Sequence, residues 1–161
     1  EISRETGTYI SNVNTAEQVV ISGGRMAVTR ALGLASDRGA KKTIPLHVGG
    51  AFHSGLMKPA ISGLVEKINS LELGEPTVPI VANCSGKPLN AIEDIRQELV
   101  AQVCGCVQWK RSIDYIVGSG MTSFIEVGPG KALAGMVKRI STQARVSSVG
   151  DIDSILSLNK N

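Results

Sequence analysis

Apolar positions along the chain switch between two spacings, and the switches outline its elements. Short apolar or β-branched runs at Tyr9–Asn14 and Gln18–Ser22 predict two strands, the second built on Val19-Val20-Ile21 and ended by Gly23-Gly24. Met26, Ala27, Ala31 and Leu34 then recur at helical spacing, and this helix is expected to stop near Arg38-Gly39 with glycine as its C-cap. Thr43–Val48 predicts a further strand, broken by Gly49-Gly50. Between Gly55 and Leu71 one stripe of Leu56, Ala60, Leu64, Ile68 and Leu71 predicts a helix. Val78–Ala82 follows as a strand, Ile92–Val103 and Trp109–Val117 as helices, and Ser123–Val127 as a buried strand. After the tight turn Gly128-Pro129-Gly130, Lys131–Ile140 predicts another helix. Val146–Val149 and Ile152–Leu158 close the chain as a strand and a helix.

From Thr43 onward strands and helices alternate, which predicts an α/β architecture with a mainly parallel sheet covered on both faces. The first forty residues pair two adjacent strands with a helix, as in a small α+β unit. Neither an internal repeat nor a low-complexity segment is present.

The 161 residues suit one domain, and 42% hydrophobic residues with a mean hydropathy of +0.11 suit a globular one. Aromatics are scarce at 3% while glycines number 18, a mixture fit for close packing of helices on strands. The net charge of +3 comes from dispersed Lys and Arg without interleaved aromatics, which argues against a nucleic-acid surface. Three cysteines, Cys84, Cys104 and Cys106, form no disulfide framework, and a reducing cytoplasm is expected. Cys104-Gly105-Cys106 lacks a second ligand pair at metal spacing, so no metal is expected. No segment has the length or apolarity of a membrane span. The first residues, Glu1-Ile2-Ser3-Arg4, include neither an initiating Met nor a signal-type apolar region, as expected of a piece of a longer protein.

Chemistry concentrates at Gly49-Gly50-Ala51-Phe52-His53-Ser54-Gly55. Here a predicted strand ends, two glycines permit a sharp turn, and His53 stands at the entry to a helix. Residues at the carboxyl ends of strands line the crevice of open α/β sheets. A helix N-terminus disfavours imidazolium, so His53 suits a general base; the alternative is that it merely caps the helix. His47, inside the predicted strand, reads as a satisfied structural histidine. Glu126-Val127-Gly128-Pro129-Gly130-Lys131 fails as a phosphate loop, because Ala132 follows the lysine, and as a dinucleotide fingerprint, because Leu133 stands where glycine is needed. Its backbone N–H groups at the next helix start could still face a ligand oxygen. No Gly-x-Ser-x-Gly elbow occurs, and Ser54 beside His53 in sequence does not constitute a nucleophile–base pair.

These segments resemble the malonyl-CoA:acyl carrier protein transacylases and the related acyltransferase domains of fatty-acid and polyketide synthases. The likeness is carried by Asn12-Val13-Asn14 with Gln18-Val19-Val20-Ile21-Ser22-Gly23, by Gly50-Ala51-Phe52-His53-Ser54 with Leu56-Met57-Lys58-Pro59-Ala60, by Gln102 with Val107-Gln108-Trp109, and by Glu126–Lys131 running to Lys138-Arg139-Ile140. It extends over essentially the whole chain in the family's order.

The resemblance implies the C-terminal part of an α/β-hydrolase-like acyltransferase core together with half of an inserted ferredoxin-like subdomain. Residues 1–48 would be the second half of that subdomain and 49–161 the C-terminal part of the core. The nucleophilic serine and the arginine that grips the malonyl carboxylate would lie upstream of Glu1. His53 matches the catalytic histidine, Gln102 the position whose backbone carbonyl orients it, and Phe52, Asn12 and Asn14 positions around the acyl pocket. The implied activity is transfer of malonyl from malonyl-CoA to the thiol of acyl carrier protein through an acyl-serine, in fatty-acid synthesis, without a cofactor. This chain alone would then be inactive, and surfaces bared by truncation could drive association. A catalytically inactive docking module for carrier protein or another subunit, and an acyltransferase or hydrolase of another acyl preference, are the alternatives. Two departures stand out. Ala16-Glu17 replaces the family's usual Pro-Gly before the glutamine, and Gly105-Cys106 replaces its Asn-Pro beside Gln102.

Overall fold

A computed structural model describes residues 1–158 of the chain. The expected core portion, 49–161, ends in residues 159–161, which lie outside those described. The first element is a short helix that apolar periodicity does not announce, α1 (Ile2–Thr6). It is closed by Gly7 in the left-handed region at φ 70°, whose N–H reaches Ser3 O. The hairpin β1 (Tyr9–Val13) and β2 (Val19–Ser22) follows, antiparallel, with an irregularity between Ile10 and Asn12. Helix α2 (Arg25–Asp37) packs on α1 and stops where expected, but its C-cap is Arg38 and not glycine; Gly39 at φ 89° then turns the chain away.

Thr43–Val48 does not form the predicted strand. Pro45 lacks a donor, and Val48 N–H to Leu46 O is the one backbone bond found in the stretch among the described residues. Ile44, Leu46 and Val48 remain 56%, 60% and 67% exposed. Alternating apolar residues make a strand only where a neighbour pairs with them, and none does so here.

The helix predicted from Gly55 to Leu71 is two pieces, a 3-10 segment Gly55–Ala60 and α3 (Ile61–Asn69). Pro59, inside the 3-10 segment, has no N–H to donate to an α-helical ladder, and α3 begins only after it. β3 (Ile80–Val81) is shorter than expected and pairs antiparallel with an unanticipated strand, β4 (Pro88–Leu89). Helices α4 (Ile92–Cys104) and α5 (Trp109–Gly118) fall where the periodicity puts them. β5 (Ser123–Val127), α6 (Ala132–Ile140) and β6 (Arg145–Val149) form a βαβ unit with a parallel strand pair, and α7 (Ile152–Leu158) follows.

Among the described residues the single mainly parallel sheet expected from the alternation is thus replaced by three two-stranded pairs, of which only β5–β6 is parallel. Arg145 N–H donates to Thr122 O, and Gly128 N–H donates to Val149 O. By the alternation of a parallel ladder, Ser123, Ile125 and Val127 therefore turn their peptide groups to the opposite edge of β5, which carries no strand among the described residues. The core is built of small and medium residues, among them Ala31, Ala82, Val107, Ile113, Ala134 and Val137, in keeping with the scarcity of aromatics. Among the described residues no helix is long and apolar enough to cross a membrane, and no cluster of three His, Cys, Asp or Glu could hold a metal.

Candidate active site

His53 sits in the loop between the extended segment after α2 and the 3-10 turn, at φ 57°. It is the one non-glycine residue with positive φ among those described, a conformation costing on the order of 1–3 kcal/mol and persisting only where the surroundings enforce it. Two carbonyls at the end of α4 supply that enforcement. The His53 backbone N–H donates to Val103 O at 3.0 Å, and Nδ1 lies 2.6 Å from Gln102 O. A carbonyl oxygen can only accept, so Nδ1 carries the proton and Nε2 is left with a free lone pair. A main-chain carbonyl in this position can fix the tautomer of a histidine, as a carboxylate does in a catalytic triad.

Helix capping, the alternative reading of His53, falls to its neighbour. Ser54 Oγ accepts Leu56 N–H at 3.3 Å and donates to Ala51 O at 2.5 Å. Ser54 is wholly buried, and its hydroxyl is committed to this cap, so it is no nucleophile for His53. His47 lies exposed in the unpaired segment, and the expectation of a satisfied histidine inside a strand is not met.

Phe52 is 54% exposed, with its ring laid over Gly50, where an added Cβ would stand 3.1 Å from Cε2. Its carbonyl accepts Ser22 Oγ–H at 2.9 Å, which ties the loop to the end of the hairpin. Asn12 forms an isolated parallel bridge with Val107: Val107 N–H donates to Ser11 O, and Val13 N–H donates to Val107 O, each at 2.8 Å. β1 is thereby fastened to the segment that leaves Gln102. Asn14 closes the hairpin turn through its N–H to Gln18 O; both asparagines are half-buried. Phe52, His53 and Gln102 are therefore brought together, Asn12 is bridged to the adjoining segment, and Asn14 belongs to the hairpin end.

Val103, Ser22 and Asn83, which accepts Gln108 N–H at 2.7 Å, also fix the site. Sequence reading passes over the carbonyls of Val103 and Asn83, because a main-chain oxygen serves alike in any residue. The expectation that N–H groups at the start of α6 face a ligand is overturned. Leu133 and Ala134 donate to the two carboxylate oxygens of Glu126, at 3.0 Å each. A separate apolar cavity of about 290 Å3 lies between α5, β5 and α6, lined by Trp109, Ile113, Phe124 and Val137 among others. Asn12, Asn14, Phe52, His53 and Gln102 do not border it, and Asn83 does.

No protein-family model matches the chain. The malonyl CoA-acyl carrier protein transacylase of Bacillus subtilis (strain 168) is 38% identical over 146 residues, 91% of this chain and 46% of that relative. A solved MCAT structure from Streptococcus pneumoniae superposes with a TM-score of 0.90 at 38% identity, over 99% of this chain and 52% of its own. A type II polyketide-synthase acyl-carrier protein in complex with its malonyl-transacylase matches with a TM-score of 0.92 at 34% identity, over 99% and 54%. The chain spans about half the length of these relatives. By sequence and by fold it matches about half the length of the malonyl CoA-acyl carrier protein transacylases.

Proposed function

We propose that this chain supplies the histidine-bearing part of a malonyl-CoA:acyl carrier protein transacylase, with His53 as its general base. The 2.6 Å contact between His53 Nδ1 and Gln102 O carries the reading, because it presents Nε2 unprotonated. The serine hydroxyl, from the part of the protein outside this chain, attacks the thioester carbonyl of malonyl-CoA as Nε2 takes its proton. The proton then passes to the departing CoA sulfur, and an acyl-serine ester remains. In the second half-reaction Nε2 takes the proton of the carrier-protein thiol, the sulfur attacks the ester, and the serine oxygen recovers the proton. No cofactor enters either step.

The malonyl-transacylase solved with an acyl-carrier protein supports a carrier protein as acceptor. Phe52 and Asn12, with Asn14 at the hairpin end, would shape the acyl pocket. The division into 1–48, half of a ferredoxin-like subdomain, and 49–161, part of an α/β-hydrolase-like core, is supported by the hairpin with α2 and by the βαβ unit. Three free thiols suit a cytoplasmic protein. His53→Ala in the full-length protein should lower kcat by about 10²–10⁴-fold with KM little changed; near-normal turnover would remove His53 from the mechanism.

A further inference from the structure

The carbonyls that hold His53 belong to the last turn of α4, and that turn rests on a cysteine. Gly105 follows α4 at φ −83° and ψ 149°, a conformation open to any residue, so it is room that makes glycine necessary there. A methyl group at Gly105 would stand 2.6 Å from Cys84 Sγ and 2.9 Å from Ala101 O. The sulfur thus fills the space that a side chain at 105 would occupy. Cys84 belongs to a stiff turn. Ala82 N–H donates to Lys87 O, Gly86 N–H to Ala82 O, and Gly86 adopts φ 62° against the Arg111 side chain.

That turn grips the chain on both sides of Gly105. Upstream, Glu98 Oε1 accepts the Cys84 N–H at 2.8 Å; downstream, Asn83 O accepts the Gln108 N–H at 2.7 Å. Glu98 and Gln102 are four residues apart on one helix, so the residue that receives Cys84 lies one turn before the residue that receives His53.

We infer that Cys84 is a positioning residue for His53: its sulfur, seated against Gly105, sets where the Gln102 and Val103 carbonyls stand. The inference rests on the reading of His53 as the base. It also accounts for the glycine at 105 beside Gln102, since the room left by a missing side chain there is taken by the sulfur. Burial, then the Glu98 carboxylate, pushes the Cys84 thiol up to about 11, so it stays a neutral packing group at working pH and adds no charge near the imidazole.

The test uses the full-length protein, 15N-labelled at histidine, with Cys84→Leu, Cys84→Ala and Cys84→Ser. Ring 15N shifts report how much of His53 is protonated at Nδ1. In Cys84→Leu the His53 ring shifts and titration midpoint should move, His47 should not, and kcat should fall by up to about 10²-fold at unchanged KM. Cys84→Ser should restore the wild-type His53 spectrum. If Cys84→Leu does not fold, Cys84→Ala, which removes the support, is expected to broaden or shift the same resonances. A lowered Tm with His53 shifts and midpoint unchanged would reduce Cys84 to a packing residue and overturn the inference. Moved shifts with unaltered kcat would instead leave the positioning intact and count against His53 as the base.

Discussion

Across 49 residues of sequence, Nδ1 of His53 meets the main-chain carbonyl of Gln102 at 2.6 Å. The partner is the peptide and not the amide side chain. Gln102→Ala in the full-length protein should therefore leave kcat/KM nearly unchanged, unlike loss of a triad carboxylate, which costs about 10⁴-fold. Steady-state kinetics decide it: a large fall would show that the Gln102 side chain takes part.

Phe52 is more than half exposed, so its ring is free to border a substrate. Malonyl has no substituent at C2, whereas methylmalonyl places a methyl there. One methyl is worth about 1–3 kcal/mol, or about 10–200-fold. Phe52→Ser should raise methylmalonyl relative to malonyl in kcat/KM within that range while Tm barely changes. An unaltered ratio would remove Phe52 from specificity.

Arg38 grips Glu5 through two bonds of 2.8 and 2.7 Å, joining α1 to the end of α2. The guanidinium hydrogen bond, first among the causes, holds the Glu5 carboxyl below its ordinary 4.5. A lowered folded value means that the pair stabilises the fold at neutral pH and stops doing so as the pH falls through it. Glu5→Gln should lower stability at pH 7 and flatten its decline between about pH 5 and about pH 2. Denaturant midpoints measured across that range check both parts; parallel pH curves for the two proteins would contradict the prediction.

Ile125 and Val127 are 58% and 81% exposed beside the open edge of β5, and the Ile44–Val48 segment is uncovered as well. Open edges and apolar faces favour association. The 161 residues prepared alone should sediment as oligomers and transfer no malonyl to carrier protein. A monodisperse monomer would contradict the first expectation, and measurable transfer the second.

The helices were legible because their apolar stripes are long enough to define a period, as in Met26 to Leu34 or across α4 and α5. α1 escaped notice because five mostly polar residues define none; a left-handed glycine and Arg38 hold it instead. Thr43–Val48 carries a strand's alternation but no pairing partner, and alternation alone does not make a sheet. At the site, His53 was legible from two glycines and a helix entry, and Gln102 from resemblance. Val103 O and the Cys84–Gly105 contact were not. One is a peptide group common to every residue, and the other is a vacancy at one position filled from another.

The bridge at Val107 gears two parts of the molecule together. Its N–H and C=O are both spent on β1, through Ser11 and Val13, while the same short segment leads back to the carbonyl under His53. A swing of the hairpin that keeps these bonds drags the Val107 peptide along and detunes the imidazole. A swing that leaves the imidazole in tune must break both, at about 0.5–1.5 kcal/mol each. Whatever widens or narrows the space beneath the hairpin is thus felt at the ring nitrogen.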